Sequence, residues 1–209
     1  MVLVTNTDDF LVRMIKGCIQ LSSRPNINNT VNMVPVDHVA RVVVACAFRP
    51  PTSPLGVAHV TGHPRLRFNQ FLAVLETYGY DVPLSDYIPW TGALDNHVSN
   101  VGSSSDTQLA LMPLYTFVAN DLPSSTRAPE LDDTNAEKAL YADREWSGQD
   151  VSDGSGVTKN IIGIYLAYLV AIGFLPSPTK TPLKVLPDVK IPARQMEALS
   201  NVGGRGSAL

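Results

Sequence analysis

An α/β fold is predicted by three stretches: a strand, turn and helix at Asn28–Val44, a second strand and helix at Gly56–Tyr78, and an apolar terminal helix at Val157–Phe174. In the first, Thr30, Val31, Met33 and Val34 form a β-prone run between Asn-rich and Pro punctuation. Pro35 ends the strand because it has no amide hydrogen for a ladder. Asp37 is placed to accept from the free amides of the next turn. The helix that follows (Val39, Ala40, Val42–Cys46) is apolar almost all round, which predicts burial. In the second, Gly56–Gly62 reads as a strand inside a sheet, and Phe68, Phe71, Leu72 and Leu75 mark a helix ending near Tyr78-Gly79. Strand, helix, strand, helix in that order argues for a parallel element.

Taken in order, Met1–Val4 is a strand-like scrap. Thr7 or Asp8 then caps a helix to about Leu21, whose apolar stripe is Phe10, Leu11, Met14, Ile15, Cys18 and Ile19. Asp8 and Asp9 are adjacent, so they diverge by ~100° on a helix and read as helix-start acids rather than a catalytic pair. Between Asp81 and Pro89 the chain is predicted to loop into Trp90, with Tyr78, Tyr80, Tyr87 and Trp90 clustered around a pocket or a packing contact. A helical pattern returns from Asp106, kinked or begun at Pro113. Ser124–Asp133 is a loop, Asn135–Asp143 a short helix and Val151–Gly156 a turn. Residues 1–176 are thus one domain, and 177–209 a tail that drapes over the surface or is disordered.

Composition removes several function classes. A chain of 209 residues with 44% hydrophobic residues can bury a sizeable core. A formal charge of −3 without a Lys/Arg cluster gives no case for nucleic acid. No apolar run reaches the roughly 20 residues that span a bilayer. Two cysteines in apolar helical settings, Cys18 and Cys46, read as reduced buried thiols of a soluble cytoplasmic protein. His59, flanked by apolar residues, reads as a satisfied half-buried histidine. Asp153–Lys159 lacks the spacing of a phosphate loop, and Gly203–Gly206 lacks the strand-turn-helix setting of a dinucleotide fingerprint. No HExxH, CxxC or GxSxG occurs, and no Tyr is followed by Lys four residues later.

Two strings carry a resemblance: Thr5-Asn-Thr-Asp-Asp-Phe-Leu-Val-Arg-Met-Ile-Lys-Gly-Cys18 and Asn32-Met-Val-Pro-Val-Asp-His-Val-Ala-Arg41. With Ala58–Pro64, Thr77–Pro83, Tyr165–Pro176 and Val202–Gly206, they closely resemble the C-terminal reductase domain of fungal L-2-aminoadipate reductases. That domain is an extended short-chain dehydrogenase/reductase acting on carrier-bound thioesters. The resemblance implies the C-terminal portion of a Rossmann-type domain with a mainly helical substrate-binding lobe, the N-terminal Rossmann half missing. Gly56–Gly62 would be a late strand of that sheet, with the helix from Val39 packed on it. Asn28–Val44 would be the hinge to the lobe.

The resemblance further implies NADPH as hydride donor and a phosphopantetheine arm bearing the L-2-aminoadipoyl thioester, reduced to the semialdehyde. In the family the cofactor fingerprint and the catalytic Tyr-x-x-x-Lys lie upstream of the matched strings, so no catalytic or cofactor-binding residue carries over. The implied partners are an upstream Rossmann half and a carrier domain, with no nucleic acid and no membrane. Substrate-binding candidates are Asn6, Asp9 and Arg13 at the first helix, Asn32 and Met33 beside the turn, and Trp90. The alternatives are the terminal reductase of a peptide synthetase or a carboxylic acid reductase, and a non-catalytic carrier-docking module.

Overall fold

The computed structural model describes residues 6–52, 56–100, 108–127, 129–151, 154 and 156–192. The readings made for Met1–Val4, Asp106, Asp153 and the chain beyond Pro192 lie outside them. The fold is about half helical, with a few two-residue strands, and it divides into two compact units. The first comprises residues 1–26, 72–120 and 159–209, and the second residues 27–71 and 121–158.

In the first unit, α1 (Phe10–Gln20) starts at Asp9, whose carboxylate accepts from the amides of Leu11 (2.8 Å) and Val12 (3.3 Å). Of the predicted stripe, Met14, Ile15 and Cys18 are buried, while Phe10, Leu11 and Ile19 are partly exposed. Strand β1 (Arg24–Pro25) pairs in parallel with β4 (Leu84–Ser85). Where a loop into Trp90 was predicted, helix α4 runs over Tyr87–Asn100. The reason is local. Pro89 sits in the first helical turn, where its missing amide has no intrahelical partner to lose, and the Trp90 amide already closes on Asp86 O at 3.0 Å.

A 3₁₀ turn at Met112–Leu114 holds Pro113 in its first turn, and a π turn follows at Phe117–Asp121. Helix α7 (Lys159–Ala171) is buried along Ile162, Gly163 and Leu166–Leu169. Gly163 admits the Tyr78 ring, since a Cβ there would stand 2.1 Å from the Tyr78 hydroxyl oxygen. That hydroxyl donates to Lys159 O at 3.0 Å. Residues 177–192 carry no helix or strand and lie along the end of the Leu72–Tyr80 segment, with the Lys180 amide on Gly79 O and the Lys184 amide on Thr77 O, both 3.0 Å.

The Cys18 side chain is completely enclosed, and burial pushes its thiol pKa up. A thiolate is the reactive form. Labelling of the native chain with a thiol reagent at pH 8 therefore modifies Cys46 first, and Cys18 reacts only as the unit opens. Equal rates for the two thiols would show that this core does not exclude reagent.

In the second unit, β2 (Thr30–Val31) pairs antiparallel with β3 (Leu66–Arg67), which leads directly into α3 (Phe68–Thr77). The predicted parallel element is therefore not what forms here. Leu66–Arg67, not Gly56–Gly62, lies beside β2. In residues 56–62 Ala58 and Val60 pack against the α2–α6 core, but their main chain has no ladder partner among the described residues.

Helix α2 (Val36–Phe48) begins after Pro35, and Asp37 falls in its first turn, accepting from its neighbour's amide on His38 rather than capping the helix. It buries one face only. Val42 and Ala45 pack against Ala136, Ala139 and Leu140 of α6 (Thr134–Ser147). The other face leaves Val43, Val44 and Phe48 exposed, Phe48 at 82%, so all-round apolar content does not make this helix all-round buried. Helix α6 outruns its predicted end at Asp143 and stops at Gly148, whose φ of 68° is the left-handed cap that glycine adopts cheaply. A four-residue helix, α5 (Leu122–Ser125), lies in the stretch around the predicted Ser124–Asp133 loop.

Candidate functional site

Two cavities open side by side in the second unit, and Thr61 lines both. The first, about 110 Å³, is walled by Val31, Met33, Pro64, Leu66, Leu131 and Val157, with Asn32, Arg65 and Glu130 supplying its polar edge. The β2–β3 pairing fixes that edge. Thr30 and Arg67 are register partners, and the Arg67 guanidinium donates to Thr30 Oγ1 (2.9 Å) and to Glu130 Oε1 (3.2 Å). Arg65 completes the group, with Nη1 on Glu130 Oε2 at 3.1 Å and Nη2 on Leu131 O at 2.6 Å. Two guanidinium groups thus share one carboxylate, leaving a net positive charge. Glu130 is about half exposed, so the network orients side chains more than it stabilises the fold.

The second cavity, about 170 Å³, lies between α2 and α6 and is lined by His38, Val42, Thr61, His63, Asp133 and Glu137 among others. Asp133 occupies the N-cap position of α6 yet makes no side-chain cap bond. Asp132 takes that part, accepting from the Thr134 amide (3.0 Å) and hydroxyl (2.6 Å). The Asp133 carboxylate instead meets the Thr61 hydroxyl and His63 Nε2. Burial pushes its pKa up, but the Thr61 and His63 hydrogen bonds and the His63 charge outweigh that and hold it below the usual carboxylate value. His59 Nδ1 meets Asp132 O at 2.9 Å.

Of the predicted substrate-binding residues, Asn32 and Met33 stand together on the smaller cavity. The others belong to the first unit. Asn6 accepts from the Asp8 amide at 2.9 Å, and Asp9 caps α1. Arg13 donates to Ala110 O at 3.0 Å and pairs with Asp8. Trp90 is fully enclosed, its indole N–H on Ser23 O at 3.2 Å and its ring stacked near Tyr87.

Thr61, His63, Arg65, Glu130, Asp133 and Glu137 were not singled out by sequence reasoning. Asp133 and His63 are 70 residues apart, and no local spacing links them. Nor do the described residues supply a dinucleotide seat. The positive-φ glycines Gly56, Gly79, Gly148, Gly154 and Gly173 are dispersed single positions, and none forms a glycine-rich strand-to-helix turn. NADPH does not fit a site built from them. Among the described residues no helix is long and apolar enough to cross a membrane.

No protein-family model matches the chain. Curated relatives do. The L-2-aminoadipate reductase large subunit of Penicillium chrysogenum is 61% identical over 204 residues, covering 97% of this chain and 14% of its own length. The L-2-aminoadipate reductases of Schizosaccharomyces pombe and Saccharomyces cerevisiae are 56% and 48% identical, also over 14% of their lengths. The chain therefore spans about a seventh of relatives that are much larger proteins. Among solved structures, the terminal R domain from the myxalamid PKS-NRPS biosynthetic pathway aligns with a TM-score of 0.58 at 24% identity, covering 83% of this chain and 42% of that one. That likeness concerns the fold alone. Along nearly its whole length the chain is thus similar in sequence to one segment of the fungal L-2-aminoadipate reductases, and it has the fold of a terminal reductase domain.

Proposed function

We propose that this chain is the substrate-binding portion of an NADPH-dependent reductase that converts carrier-bound L-2-aminoadipoyl thioester to the semialdehyde in lysine biosynthesis. It acts in the cytoplasm with the upstream Rossmann half and the carrier domain of the same enzyme. NADPH supplies the hydride from that upstream half, so this chain alone does not turn over. Its own work is to bind and orient the acyl group.

The observation that carries the reading is the smaller cavity, an apolar trough that ends in ionic groups. An aminoadipoyl chain is methylene along its length and carries an ammonium and a carboxylate at its far end. Val31, Met33 and Leu66 suit the methylenes, Glu130 suits the ammonium, and the Arg65 guanidinium on the same lining suits the carboxylate. Asn32 lines the wall, while Asn6, Asp9, Arg13 and Trp90 hold the helical frame of the other unit.

Calorimetry with S-(L-2-aminoadipoyl)-pantetheine, and with the adipoyl analogue that lacks the amine, tests this. A hydrogen bond to a charged group is worth about 1.5–3 kcal/mol, a preference of roughly 10- to 100-fold for the aminated ligand. E130Q removes most of that preference while leaving adipoyl binding intact. Equal affinity of the unaltered chain for both ligands would refute the assignment of Glu130.

A further inference from the structure

We propose that His63, Asp133 and Glu137 form a binding site for a divalent transition-metal ion of the zinc type, at the mouth of the cavity between α2 and α6. The reductase reading neither needs this site nor uses these residues. The donor atoms, one imidazole nitrogen and one oxygen from each carboxylate, lie within 4.8 Å of one another. Around a tetrahedral ion with bonds of about 2.0–2.2 Å, donors stand roughly 3.4 Å apart. Small rotamer adjustments bring the three together.

Three features make this more than an accidental meeting of charges. Asp133 and Glu137 are four apart at the start of α6, so they project on the same face of the helix. The Asp133 carboxylate makes no cap bond to the helix amides although it sits at the N-cap, and the Thr134 amide goes to Asp132 instead. The ligands come from two segments far apart in the chain, and the Thr61 hydroxyl gives Asp133 the outer hydrogen bond that metal-ligating carboxylates commonly receive.

The donor set selects the ion class. An imidazole with two carboxylates is a borderline N/O set, suited to zinc and its neighbours rather than to calcium, which takes six to eight oxygens. Three protein ligands leave a position open toward the cavity of about 170 Å³, which His38 also lines.

The competing arrangement is a metal-free network in which His63 Nε2 and the Thr61 hydroxyl meet the Asp133 carboxylate. Titrating chelator-stripped full chain with zinc chloride in a calorimeter separates them. One ion per chain with micromolar or tighter affinity is expected, and H63A and E137Q each weaken it by roughly tenfold or more. H97A, a change on α4 in the other unit, leaves it unaltered. Cobalt loading of the unmodified chain gives a second readout independent of any variant: paramagnetically shifted resonances from one histidine ring. Absence of saturable zinc binding, unchanged affinity in folded H63A, or cobalt loading that shifts no imidazole resonance would overturn the site.

Discussion

Replacing Trp90 with alanine is expected to destabilise the chain by about 3–5 kcal/mol, the range for deleting a large aromatic from a close-packed core. Trp90 is 0% exposed, in a unit where Leu72, Leu75, Tyr78 and Leu94 are also buried. The loss has two parts. The indole volume disappears, and Ser23 O, which accepts the indole N–H at 3.2 Å, is left without that donor. Ser23 immediately precedes β1, and β1 pairs with β4 just before α4, so the damage spreads through the anchor that joins these three elements.

W90F separates the two parts. It keeps most of the apolar volume and forfeits chiefly the hydrogen bond, at about 1–2 kcal/mol. Urea unfolding followed by circular dichroism measures both. The same pair of variants bears on the sequence-based expectation that Trp90 contacts substrate. A contact role would alter ligand affinity in W90F at unchanged stability, whereas an anchoring role alters stability and leaves the affinity of the folded protein alone.

Gly79→Ala is expected to cost about 2–4 kcal/mol, through strain and overlap together. Gly79 has φ of +89°, which L-residues adopt only at a penalty. A Cβ placed there would also stand 2.6 Å from the carbonyl oxygen of Lys180. Backbone cannot swing aside as a side-chain end can, so the 178–182 segment must lift. It would then lose the Lys180 amide bond to Gly79 O. Limited proteolysis reads this directly: cleavage after Lys180 or Lys184 accelerates in G79A while sites in α7 stay protected. Unchanged cleavage would mean that residues 177–192 do not depend on this seat.

The elements that were legible in the sequence are those that short-range chemistry decides. Helix α1 follows from the spacing of Met14, Ile15 and Cys18, but its cap is Asp9 rather than the expected Thr7 or Asp8, because the Asp9 carboxylate is the one that reaches the amides of Leu11 and Val12. The helix beginning at Phe68 follows in the same way. What a neighbour must decide was not legible. The alternation in Ala58–Val60 is strand-like, but a ladder needs a second chain segment in register, and periodicity does not supply one.

The apolar content of α2 predicts how much surface could be buried, not how much is covered, and Val43, Val44 and Phe48 remain uncovered in the described structure. Asp81–Pro89 reads as a loop into Trp90, although a first helical turn tolerates Pro89. Both candidate sites are of the non-local kind. Arg65 meets Glu130 across 65 residues and His63 meets Asp133 across 70, so only the fold brings them together. The family resemblance supplied what spacing could not, the class of reaction, but it assigned no residue on either cavity beyond Asn32 and Met33.

In the proposed function this chain holds the acyl thioester and the upstream half holds the cofactor. Parallel titrations of the purified chain with NADPH, followed by its fluorescence, and with S-(L-2-aminoadipoyl)-pantetheine, followed by calorimetry, test it most directly. Saturable thioester binding without NADPH binding, and no NADPH oxidation when both are present, is the predicted result. NADPH oxidation by the chain alone, or NADPH binding without thioester binding, would contradict it.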